Sequence, residues 1–176
     1  MNMLKSKHSD EEISNFKKTV LNRTKDNASY LKMKSVIGKT APDSLEEYQE
    51  IKYNDGKQWA KLTDNYFVKS RLQDGRYGST INPEKQAPHM ASTVTKGKSY
   101  FEDDVDIQKL FDKYAGTGEV DRDINGRRKN TEVIVAKDFT GTAVSLNGEE
   151  ATHTFKVHHS KKRLHIVPIK EGRNRE

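Results

Sequence analysis

Residues 151–169 read Ala151-Thr152-His153-Thr154-Phe155-Lys156-Val157-His158-His159-Ser160-Lys161-Lys162-Arg163-Leu164-His165-Ile166-Val167-Pro168-Ile169. Two runs rich in β-formers, Ala151–His159 and Leu164–Ile169, flank a polar segment, Ser160–Arg163, and this is the pattern of an antiparallel hairpin. Alternation puts Ala151, Phe155 and Val157 on one face and Thr152, Thr154, Lys156, His158 and Ser160 on the other. A four-residue connection pairs His158 with His165, with their Cβ atoms about 4.5–5.5 Å apart. Two imidazoles that close, beside an amine and a hydroxyl, have the composition of a metal-free acid–base site. One ring takes a proton, the other gives one, and the cation stabilises charge on phosphorus. The competing reading is a polar sheet face on which the histidines do no chemistry.

Upstream of the hairpin, Thr131–Lys137 and Thr142–Leu146 read as further strands. Gly116-Thr117-Gly118 is a turn that leads into a polar loop through Arg127 and Arg128. One strongly amphipathic helix carries Val105, Ile107, Leu110, Phe111 and Tyr114, opened by Asp103 or Asp104 and ended at Gly116. The first eighty residues read as helices. Ser9 with Glu12, and Ser44 with Glu47, have capping-box spacing. Ile13, Phe16, Val20 and Leu21 lie on one helical stretch, and Tyr30, Leu31, Met33, Val36 and Ile37 on another after a polar interval. Leu45, Tyr48 and Ile51 follow Pro42, and Trp59, Leu62, Tyr66 and Phe67 follow the turn at Asn54-Asp55-Gly56. Helices first and antiparallel strands after give an α+β chain. It divides at residue 80 into a helical region, 1–80, and a helix-plus-sheet domain, 81–176.

Composition narrows the chemistry. The chain of 176 residues is 32% hydrophobic and 33% charged with a net charge of +6, so only part of it is expected to form a tight core. It contains no cysteine, which excludes disulfides, thiolate nucleophiles and Cys-ligated zinc. No apolar run approaches the roughly 20 residues of a membrane span, and Met1–Lys7 lacks the apolar stretch of a secretory signal, so no membrane partner is expected. Positive charge gathers at the C-terminal end in Lys156, Lys161, Lys162, Arg163, Lys170, Arg173 and Arg175. Such a cluster suits a polyanion or simply a solvated tail. The histidines with Glu132 or Asp138 lack a zinc-ligand spacing. Asp103, Asp104 and Asp106 at a helix start suit dipole stabilisation better than Mg²⁺. No Walker loop is present. No cofactor is expected.

The segment Lys85-Gln86, His89, Gly116-Thr117-Gly118, Glu132, Val157-His158-His159-Ser160-Lys161 and His165-Ile166-Val167-Pro168 resembles the polymorphic toxin type 50 domain. That domain belongs to the barnase–EndoU–colicin–RelE group of metal-independent ribonuclease folds. The resemblance runs from Lys85 to Pro168, and the hairpin is its most specific part. His159 stands at the family's tyrosine position and Arg163 at its turn glycine. The resemblance implies His89, His158 and His165 as acid–base residues, with Glu132 orienting them or acting as base. It also implies Lys85, Lys156, Thr154 and Ser160 on phosphate, with Lys161, Lys162 and Arg163 extending the nucleic-acid surface. The segment Leu45–Tyr53 with Trp59 and Leu62 is similar to minor head proteins of tailed phages of Gram-positive hosts, in which a toxin-like domain sits at the C-terminus. That second resemblance implies a minor capsid protein, located in the virion and then in the host cytoplasm. Its partners would be RNA or DNA, other head or portal proteins, and further copies of itself through the N-terminal helices. Two alternatives stand beside it: an active metal-independent ribonuclease effector, and a catalytically inactive DNA-binding virion component.

Overall fold

The computed structural model describes residues 9–172; Met1–Lys7, Arg173 and Arg175 lie outside the described residues. The chain divides into two compact units, Met1–Trp59 and Ala60–Glu176.

The first unit opens with α1, Asp10–Ile37. Ser9 caps it in a complete capping box with Glu12, and Gly38 ends it with φ near 56°. The polar interval around residues 22–29 does not break this helix, because Asp26 is satisfied laterally. Its carboxylate accepts from Lys52 Nζ (2.6 Å), Tyr53 Oη (2.7 Å) and Gln49 Nε2 (3.1 Å) on α2, Leu45–Asn54. Ser44 caps α2 through the Glu47 amide. Tyr30, Met33, Ile37, Tyr48 and Ile51 are buried here, and Trp59 sets its ring edge-on to Tyr48 at 5.3 Å. The first half of α1 leaves Phe16, Val20 and Leu21 exposed.

The second unit is the α+β part. After α3, Gly56–Gln73, a short α4, Pro83–Gln86, starts on the Asn82 cap. A single 3-10 turn, Ala87–His89, follows. The amphipathic helix α5 spans Ile107–Tyr114 and is capped by Asp106, not by Asp103 or Asp104. Asp103 instead accepts from the Ser92 amide and hydroxyl, and Val105 stands before the helix. Four antiparallel strands form the main sheet in the order β1-β2-β5-β6: Glu119–Arg122, Arg128–Val135, Thr154–His158 and His165–Pro168. A separate hairpin pairs β3, Gly141–Ser145, with β4, Gly148–Thr152.

Two expectations about the strands are corrected. The polar loop before Thr131 contains β1, and Asp123–Gly126 turns it into an early-starting β2. The run Ala151–His159 is two strands broken at His153, so Thr152 belongs to β4. Thr152 is buried, its hydroxyl donating to the Ile169 carbonyl at 2.7 Å, and it takes no part in the row that carries His158. The core packs Leu110, Phe111 and Ala115 of the α5 region with Ile134, Phe155, Val157 and Ile166 of the sheet and with Phe101 and Leu164. One face of the main sheet is thereby committed to α5. The other face carries the imidazoles.

Candidate active site: an imidazole row across the sheet

Antiparallel register decides which side chains meet on that second face. β1 adjoins β2 so that Asp121 lies beside Thr131. Thr131 of β2 is the partner of His158 on β5, and His158 is the partner of His165 on β6. The Thr131 hydroxyl donates to Asp121 Oδ2 at 2.5 Å. The His158 and His165 rings stack with centroids 4.6 Å apart and planes 1° from parallel. His89 continues the stack beyond β6, its ring 6.0 Å from His165 and 10° from parallel. Asp121, Thr131, His158, His165 and His89 thus form one row perpendicular to the strands. Lys156, two residues before His158, projects from the same face, and its Nζ lies 3.0 Å from Asp121 Oδ2.

His89 reaches the row by way of Gln86. The buried Gln86 amide bonds both ways to the Ile166 backbone, Nε2 donating to the carbonyl and Oε1 accepting from N–H, each at 2.9 Å. It acts as one residue of an extra strand on the edge of β6, which explains the glutamine beside Lys85. One turn later the His89 carbonyl accepts from the amide of the fully buried Phe101 at 2.9 Å. His89 Nδ1–H donates to the Ser99 carbonyl at 2.8 Å, and His165 Nδ1–H donates to the Arg163 carbonyl at 2.9 Å. Both rings therefore keep Nε2 for proton exchange.

Burial comes first among the forces on His158, followed by the positive charge of His165, Lys156 and His89, and together they push its pKa down to about 4. Burial likewise lowers His89. His158 is an unprotonated imidazole across the neutral range, as a proton acceptor must be. For Asp121, burial opposes ionisation, but hydrogen bonds from Thr131 and Lys156 outweigh it and hold the carboxyl below its usual range. The carboxylate fixes the Lys156 ammonium on the face that carries His158.

Glu132 does not join this row. It is fully buried on the core face of β2, opposite Val157, where it accepts from Gly116 N (2.8 Å), Gly118 N (3.3 Å) and His159 Nε2 (2.9 Å). Gly116 needs its φ of 86°, and a Cβ on Gly118 would lie 2.1 Å from the Val133 carbonyl oxygen. The Gly-Thr-Gly turn is thus a backbone cradle for a buried carboxylate. His159, at the tyrosine position, closes the cradle and stacks on Tyr77 at 4.7 Å.

The remaining sequence candidates fall into two groups. Thr154 shares the imidazole face but is only 6% exposed. The Ser160 hydroxyl accepts from the Arg163 amide at 3.2 Å and shapes the turn. Gly78 N, Asn82 Nδ2 and Asn82 N hold the carbonyls of Ser160, Lys162 and Leu164. Among the described residues no non-glycine has positive φ, so Arg163 occupies the turn in an ordinary backbone conformation. Lys161, Lys162 and Arg163 are exposed, and Lys85 is partly buried on α4. Sequence reading missed Asp121 and Thr131. Their signal was the alternation of β1, concealed because Val120 is the only apolar residue of Glu119–Arg122. Among the described residues no three His, Asp or Glu side chains gather as a metal-binding group.

No curated protein and no solved structure matches this chain. A family model described as bacterial toxin 50 matches residues 81–168. The matched span opens just before the Gln86 lock, includes the Gly116–Gly118 cradle with Glu132, and closes at the end of β6. It therefore holds every residue of the imidazole row, and the chain belongs to the bacterial toxin 50 family.

Proposed function

We propose that residues 81–168 form a metal-independent ribonuclease-like domain that cleaves a phosphodiester by attack of the neighbouring 2′-hydroxyl. The observation that carries this reading is the parallel stack of His158 and His165 at 4.6 Å beside an anchored Lys156. His158 accepts the 2′-hydroxyl proton as the O2′–P bond forms. Lys156 offsets charge on the phosphoryl oxygens. His165 Nε2–H protonates the departing 5′-oxygen as the P–O5′ bond breaks, leaving a 2′,3′-cyclic phosphate. A bound phosphodiester brings negative charge against the stack and raises the proton affinity of His158 towards the working pH.

The test is incubation of the purified protein with labelled RNA, single-stranded DNA and duplex DNA, with and without EDTA. RNA cleavage to cyclic phosphate ends that survives EDTA, spares DNA and falls on the order of 10²–10⁴-fold in His158→Ala or His165→Ala supports the proposal. EDTA-sensitive DNA cleavage, or binding without cleavage of any substrate, overturns it. The second of these outcomes leaves a nucleic-acid-binding domain without turnover.

A reading of the whole chain as a phage minor capsid protein rests on the similarity of Leu45–Tyr53, with Trp59 and Leu62, to minor head proteins of tailed phages. The exposed Phe16, Val20 and Leu21 on α1 offer an apolar surface to a head or portal protein or to a second copy. In this reading the protein is carried in the virion and delivered to the host cytoplasm. Presence of the chain in purified particles, detected by mass spectrometry, is the measurement that decides it.

A further inference from the structure

Several cations on the second unit are held in ion pairs. Arg122 and Arg128 share Asp64, Arg127 pairs with Asp123, Lys113 with Asp138, Arg76 with Asp74, and Lys156 with Asp121. Two exposed lysines near the imidazole row form no ion pair among the described residues. Lys129 lies on β2 two residues before Thr131, so alternation places it on the row's face. Its charge is felt at Asp121. Lys98 lies at the far end, next to Ser99, whose carbonyl holds His89, and its charge is felt at His89. Lys161 and Lys162 are exposed in the turn beyond Ser160. In the remaining direction the face presents Glu119, exposed on β1, and the Asp121 carboxylate.

Given the cleavage reading above, on which this step rests, we infer that a single strand of RNA crosses the sheet diagonally, with Lys98 and Lys129 binding the phosphates on either side of the scissile one. The path runs from Lys98 over His89, His165 and His158 to Lys129 and the Ser160–Lys161 corner. Carboxylates repel a backbone from the Glu119 side, so the direction is set by charge. A single line of cations matches one phosphate backbone.

The experiment compares two substrates, a dinucleotide with one phosphodiester and a 12-residue single-stranded RNA. Lys98→Gln and Lys129→Gln are each expected to cut the preference in kcat/KM for the longer substrate about tenfold. Lys137→Gln, an exposed lysine at the end of β2, is expected to leave that preference unchanged. Binding of the 12-mer, followed by fluorescence anisotropy between 50 and 200 mM salt, should lose about 0.7 from its log–log salt slope in each of the two variants. The inference is overturned if both variants keep the wild-type length preference and salt slope, or if Lys137→Gln lowers both as much. Should the wild-type protein cleave neither substrate, the cleavage reading fails, and the anisotropy slopes still decide where the strand binds.

Discussion

Acidification should destabilise the protein in a pH window that belongs to the imidazole stack. A histidine whose folded pKa lies below its unfolded value binds fewer protons when folded, so its contribution to stability is complete above the unfolded pKa and is lost as pH falls. For His158 the two values are 6.5 and about 4. Linkage between pH 7 and pH 4.5 then gives a loss of about 2.4 kcal/mol for a fully shielded ring. Residual solvent access to this half-buried side chain reduces that to roughly 1–2 kcal/mol. His89 adds a loss of the same sign. Asp26, Asp121 and Asp138 lie outside this window, because all three are held below the usual 3.8 and lose their contribution only at lower pH. The assay is urea unfolding at pH 7 and pH 4.5, for wild type and for His158→Asn. The variant should show a pH-dependent loss smaller by about 1–2 kcal/mol, with an unchanged denaturant slope. Equal losses in wild type and variant would refute the idea that His158 is kept neutral by burial and by the Lys156 charge beside it.

Two further perturbations test the scaffold beneath the row. Gly118→Ala drives a methyl to 2.1 Å from the Val133 carbonyl oxygen, and calorimetry should show a loss of about 1–3 kcal/mol. Gln86→Ala removes both bonds to the Ile166 backbone; it should cost about 2–3 kcal/mol and accelerate hydrogen exchange at the Ile166 amide, while exchange at Asp26 on α1 is unchanged.

The parts of this molecule that were legible from sequence share one property: their signals are local. The capping box at Ser9, the Ser44 cap on the Glu47 amide, and the alternation that leads His158 to His165 depend on residues a few positions apart or on one short turn, and each occurs as read, except that the Glu47 carboxylate takes the Asp43 amide and so does not close a box on Ser44. What escaped is organised at long range. β1 has one apolar residue because its charges are satisfied from elsewhere. Asp64 on α3 accepts from the Val120 amide and from Arg122 and Arg128, so a strand forms where composition suggests a loop. The break at His153 is equally invisible locally, since its ring donates to the Phe139 carbonyl and Thr152 reaches across to Ile169.

Glu132 shows why a family motif does not by itself assign roles. A glutamate found with a glycine turn and a hairpin histidine invites a catalytic reading. Here its two oxygens are consumed by Gly116, Gly118 and His159 on the core side of the sheet. With three donors aimed at it, removing the carboxylate would leave buried N–H groups unpaired, at a cost of about 1–3 kcal/mol for each. That requirement is enough to explain glutamate at this position without any contact with substrate. The carboxylate that does stand beside the imidazoles is Asp121, on the strand that sequence periodicity failed to reveal. The imidazole row and the buried carboxylate cradle thus occupy the two opposite faces of one sheet. The division follows from β2 itself, whose alternation sends Thr131 to one side and Glu132 to the other.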